Sequence, residues 1–181
     1  MREPAPPYRG EGEHALWHVS EDPRIAVFRP HRAVTAAEDE PLVWAIDTRH
    51  LPLYWFPRDC PRGTFWAGRT TIDADVERFL GHRPARVHAV EPPWDERMPT
   101  TPLYAYRLPA EGFEPYEPAG GYWISRTTVE PVEVQQLGNA VELHRAAGIE
   151  LRVVPRLLEL WADVIASTLE FSGMRLRNAR R

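Results

Sequence analysis

Short apolar runs, separated by polar and proline-rich stretches, make up most of this chain. Alternating or briefly continuous apolar positions predict strands over 15–19, 42–46, 64–67, 86–90, 102–107, 122–125 and 150–153. Helical spacing is rarer. A short aromatic helix is expected over 48–55, and helices over 74–80 and 139–147 end at Gly81 and Gly148, residues suited to a left-handed cap. The longest helix is expected over 155–171, where Leu157, Leu160, Trp161, Val164, Ile165, Thr168 and Leu169 recur at i, i+3, i+4 and i+7. Pro155 suits its first turn and Gly173 closes it. Prolines and glycines mark 91–101 and 109–121 as loops.

Strands spaced this irregularly, with few helices among them, argue for an α+β fold and against an alternating parallel-sheet one. The expectation is a single α+β domain over 15–181 with a mixed or antiparallel sheet, short helices and one long C-terminal helix. Residues 1–14, rich in proline, glycine and charge, read as a flexible tail.

Composition narrows the function classes. A net charge of -4 argues against general nucleic-acid binding. No apolar run reaches the roughly 18 to 20 residues that a membrane span needs, and Cys60, the sole cysteine, cannot form an internal disulfide. A soluble cytoplasmic protein is the expectation. All 22 basic residues are arginine. That fits a GC-rich genome, and it also fits bidentate binding of phosphate or carboxylate. Without lysine no side-chain Schiff base can form, which removes pyridoxal-phosphate and lysine-type aldol chemistry.

Neither a G-x-G-x-x-G loop nor a P-loop is present, and no G-x-S-x-G elbow introduces a helix. The densest chemistry is Phe56-Pro57-Arg58-Asp59-Cys60-Pro61-Arg62. Arg58 and Arg62 there suit an anion-binding rim, while Pro57, Asp59 and Pro61 equally suit a rigid turn. The segment offers Cys60 no base. His14 and His18 have helical spacing on a segment that reads as strand, so no metal is expected. His31, His82, His88 and His144 read as surface residues.

Two resemblances follow from these segments. Leu16 to Ser20, Phe56 to Arg62 and Thr168 to Ala179 look like a small bacterial family of uncharacterised proteins, over nearly the whole chain after residue 14. More distantly, the segment order is similar to the poly(ADP-ribose) polymerase-like ADP-ribosyltransferases. Leu16-Trp17-His18-Val19-Ser20 looks like that family's first strand, which implies that His18 and Ser20 hold NAD. Val43-Trp44-Ala45-Ile46-Asp47 looks like its second, with Trp44 at a tyrosine position, and Tyr54 stands where a second tyrosine stacks on nicotinamide. Gly121-Tyr122-Trp123-Ile124-Ser125 resembles the later strand but has glycine where the catalytic glutamate is expected. Glu117 from the preceding loop is the candidate replacement.

The resemblance therefore implies an ADP-ribosyltransferase-like fold, with a cleft for NAD or ADP-ribose bordered by His18, Ser20, Trp44, Tyr54, Arg58 and Arg62. His18 and Glu117 would be its catalytic residues. The alternative is a non-catalytic binding or protein-interaction domain that kept the sheet without the glutamate.

Overall fold

Aromatic and β-branched residues crowd the strands, while glycine, proline and aspartate separate them. The computed structural model describes residues 15–32, 40–81, 86–117 and 120–181. The expected tail over 1–14, with His14, and also His82 lie outside the described residues. In chain order the strands are β1 (Leu16–Ser20), β2 (Val43–Asp47), β3 (Arg62–Trp66), β4 (Arg86–Val90), β5 (Leu103–Leu108), β6 (Glu114–Glu117), β7 (Tyr122–Ser125), β8 (Glu133–Leu137), β9 (Glu150–Val153) and β10 (Glu170–Met174). The helices are α1 (Asp73–Asp75, continued by a π turn over Val76–Leu80), α2 (Pro92–Asp95), α3 (Ala140–Ala146) and α4 (Leu157–Ile165). An α+β chain with two sheets and short helices results. No helix of the described residues is long and apolar enough to cross a membrane.

The backbone packs as two compact units, each built from two stretches of chain. The first unit comprises 15–55 and Pro102–Leu137. Its sheet is antiparallel throughout, in the order β6-β7-β2-β1-β5-β8. Leu16, Val43, Ala45, Tyr106 and Leu108 form a core with Phe28 and Val129. The Tyr106 hydroxyl pins the segment after β1, donating to the Asp22 carbonyl at 2.6 Å and accepting from the Ile25 amide at 3.1 Å. Paired backbone bonds between Phe28 and Val129 complete the cover.

The second unit comprises Phe56–Thr101 and Gly138–Arg181. Its sheet has the order β10-β3-β4-β9, with β4 and β9 parallel and the other pairs antiparallel. One face is apolar, with Phe65, Val87 and Ala89 packing on Leu157 and Val164 of α4. Gly63 and Gly173 make room there for Trp161: a Cβ on either would stand 2.9 or 2.6 Å from the indole. The capping atom for α4 comes from far along the chain. Arg156 caps nothing, and the buried Glu91 carboxylate instead accepts from the Leu157 amide at 3.1 Å and from the Arg180 amide.

Four expectations change, the first being that 91–101, expected as a loop, carries α2 (Pro92–Asp95). The long helix stops at Ile165, because Ser167 bonds back to the Val164 carbonyl and both the amide and hydroxyl of Thr168 donate to Asp75. Residues 170–174 then pair with β3 as a strand. The loop over 109–121 contains β6, an edge strand that tolerates Pro115 and carries a bulge between Pro115 and Glu117. The stretch over 48–55 tightens to a 3-10 turn, Leu51–Tyr54, with proline in its first turn.

Candidate functional site

In the first unit, β6, β7 and β2 bring together aromatic rings at one sheet margin. The Trp44 ring lies 4.9 Å from Tyr116 at 77° and 6.3 Å from Tyr122 at 85°. Trp44 and Tyr122 are half-buried, and Tyr116 is 38% exposed. The 3-10 turn delivers Tyr54, whose hydroxyl donates to that of Tyr122 at 3.4 Å. Glu117 is on β6, with its backbone opposite Tyr122, so the strand brings it to this margin.

A compact polar pair packs against Gly121, the residue before Tyr122. Asp47 Oδ1 accepts from the His50 amide and from His50 Nδ1, both at 2.8 Å, which fixes the ring's tautomer and orientation. Gly121 has a left-handed φ of 74°, and a Cβ there would overlap the His50 ring. Glycine at that position thus serves close packing between the β6–β7 turn and the Asp47–His50 pair.

His18 and Ser20 do not join this group. Cross-strand alignment puts Trp17, Ile46 and Tyr122 on one face of the sheet, and Leu16, His18 and Tyr106 on the other. Trp44, two residues from Ile46, shares the first face, and His18 lies on the second. A single wall bordered by His18, Trp44 and Tyr54 is therefore corrected to two faces. His18 Nδ1 donates to the Trp44 carbonyl at 3.2 Å, and its ring packs 4.8 Å from Phe28. Ser20 accepts from the Asp22 amide in a local turn.

Arg58 and Arg62 belong to the second unit. Arg58 is exposed, whereas Arg62 is buried, donating to the Cys60 carbonyl at 3.0 Å and to Met174 Sδ at 2.8 Å. The Arg58–Arg62 segment is a turn closed by the Cys60 amide on the Pro57 carbonyl, and Asn178 ties it down through the Asp59 carbonyl. Cys60 is completely buried, and burial pushes its thiol up to about 12, against the opposing pull of Arg62 and Arg97. The thiol is inert in this state.

The second unit also buries a polar group that sequence reasoning placed on the surface. His88 and His144 are 0% and 1% exposed, and their rings meet through His88 Nδ1 and His144 Nε2 at 2.9 Å. His144 Nδ1 lies 2.6 Å from the Ala140 carbonyl. Burial depresses both imidazoles: His88 falls well below its ordinary value, pushed further by His144, Arg86 and Arg62, and His144 falls to about 4. The face of β3 and β4 that carries His88 also carries Arg62, Thr64, Trp66 and Arg86. The Arg86 guanidinium covers the Trp66 ring at 4.9 Å, and Trp66 Nε1 donates to Glu170.

Signals for these histidines exist in the sequence. His88 interrupts the run Val87-His88-Ala89-Val90, as in a strand buried on both faces. His144 stands one helical repeat after the buried Ala140.

The model of one protein family, described as a family of unknown function (DUF6886), matches residues 17–179. The chain belongs to that family. No curated protein and no solved structure matches it. The matched stretch spans both the aromatic margin and the buried histidines, so both lie within what defines the family's extent.

Proposed function

We propose that this protein binds a ligand carrying a flat heterocycle, of the nucleotide class, on the aromatic margin formed by Trp44, Tyr54, Tyr116 and Tyr122. The single observation behind this reading is the edge-to-face setting of Trp44 against Tyr116 and Tyr122. Trp44 and Tyr122 are half-buried and Tyr116 is 38% exposed, so the margin presents aromatic surface of the kind on which a planar partner stacks. Resemblance of the segment order to ADP-ribosyltransferases adds NAD and ADP-ribose to the candidates.

The reading is of a binder and assigns no bond-breaking step. His18, which that resemblance would make catalytic, faces away from Trp44. Calorimetric titration with NAD, ADP-ribose and adenosine tests the proposal. Trp44→Ala should weaken binding by about five- to 150-fold, the range for losing one base-aromatic stack. Absence of binding by all three ligands, or affinity unchanged in Trp44→Ala, would remove this reading. Nicotinamide release from NAD that vanishes in a folded Glu117→Gln variant would replace the binder with an enzyme.

A further inference from the structure

The two buried histidines hold two protons between them and have no good place for a third. A backbone carbonyl only accepts, so His144 Nδ1 carries the proton that bonds the Ala140 carbonyl. Neutral His144 then has a bare Nε2, to which His88 Nδ1 donates across 2.9 Å. A further proton on His88 Nε2 would sit on a buried nitrogen that has no hydrogen-bond partner. On His144 Nε2 it would face the proton of His88 Nδ1, and turning the His88 tautomer to relieve that clash only moves a proton to the same unpartnered nitrogen. Either position leaves a buried donor unmet and a charge out of water.

The charges on the packed elements act in the same direction. Burial is the main obstacle to protonating His88, and His144, Arg86 of β4 and Arg62 of β3 add to it. Burial also dominates at His144, where the bond to Ala140 favours the proton and Arg62 opposes it. On β10, Glu170 is engaged with Trp66 Nε1. Glu142 and Arg145 of α3 are exposed and pair with each other. On β9, Glu150 and Arg152 pair with each other opposite Val87 and Ala89, on the other face of the sheet. The Cys60 thiol, in the turn before β3, is neutral. Phe56 packs against both imidazoles, at 5.5 Å from His88 and 5.0 Å from His144.

Seating of α3 depends on this pair. The helix has seven residues and buries only Ala140 and His144, so the one large side chain that anchors it is an imidazole. A helix this short does not persist in water without its packing. By contrast α4 is seated through Leu157 and Val164, which do not titrate. Gly138 and Gly148 bracket α3, where the chain can absorb a change of direction. We propose that the His88–His144 bond is an acid-sensitive latch, in which a proton taken up by the pair releases α3 from β4 while β3, β4 and α4 stay packed. The latch involves only residues of the second unit and is independent of the aromatic margin.

The test is amide hydrogen exchange of the full chain, read residue by residue as protection factors so that the chemical pH dependence of exchange is removed. The Leu143 and Ala147 amides bond within α3, and those of Phe65 and Val87 lie in the β3–β4 pair. As pH falls from 6.5 toward about 4, protection at Leu143 and Ala147 should drop by about ten- to 100-fold per unit, one factor of ten for each imidazole protonated on release. Phe65 and Val87 should keep theirs. His144→Gln, which puts a neutral amide in the pair, should lower the slope by about one factor of ten per unit. Should that variant fail to fold, the wild-type comparison still decides. A pH-independent α3, or an unchanged slope in folded His144→Gln, would overturn the latch. So would loss of protection in α3 and the strands together, which would mean that acid opens the unit as a whole.

Discussion

The first unit leaves Trp44, Tyr54 and Tyr122 half-buried and Tyr116 exposed along one sheet margin, whereas the second takes Arg62, Arg86, His88 and His144 almost wholly out of water. Apolar rings at a margin need no hydrogen-bond closure, so they can remain partly open to a partner. Charged and imidazole groups inside must be closed by partners, since each unmet one costs on the order of 1–3 kcal/mol. That closure is visible in the chain from the Ala140 carbonyl through His144 to His88. The difference is one of solvent contact more than of residue type.

The largest test of this contrast strikes the apolar face that backs the polar one. Leu157 is fully buried between α4 and β3, and Leu157→Ala should cost about 2–5 kcal/mol, read as a shifted denaturant midpoint. Leu160→Ala, at a position only partly buried on the same cluster, should cost less. Equal losses would mean that the helix packs less selectively than described.

Acid comes next. An imidazole whose folded pKa is depressed stays neutral while the unfolded chain binds protons, so stability is present above the ordinary value of 6.5 and is lost as pH falls from there toward about 4. For His144 alone the loss reaches about 3 kcal/mol, and His88 adds in the same direction. Chemical denaturation across that window checks it, and a flat profile would place the pair in contact with solvent.

The smallest expected effect sharpens the first unit. Gly121→Ala must hold alanine at a left-handed φ and displace the His50 ring, which predicts a loss of about 1–3 kcal/mol. If the ring moves, its own signals should shift in an aromatic NMR spectrum. An unperturbed spectrum and an unchanged melting temperature would mean that Gly121 and His50 are not packed as described.

Much of the fold was legible where local pattern decides. Glu150–Val153 and Arg86–Val90 form the strands that their apolar runs predict, and α3 (Ala140–Ala146) lies inside the helix expected over 139–147, with Asn139 as its cap. Non-local pairing decides the rest. Glu170 and Phe171 fall inside the helix expected over 155–171, and only the ladder with β3 makes Glu170–Met174 a strand. Glu114–Glu117, with a proline at its second position, is a strand because β7 lies beside it. Missing β6 also meant missing Tyr116, and with it half of the Trp44 setting.

Site residues failed for two different reasons. His18 and Trp44 both lie on strands that the sequence reveals, but the cross-strand offset between β1 and β2 determines their faces, and one position of offset reverses the answer. His88 and His144 read as surface residues, whereas β3 and β4 are buried at every position, so both faces of that strand pair are away from solvent.

Cys60 offers a practical consequence. Thiol reagents attack the thiolate, and this protein has one cysteine, wholly buried and held near 12 by that burial. Its labelling rate in native buffer is therefore a stopwatch for excursions of the second unit, started and read without any engineered probe.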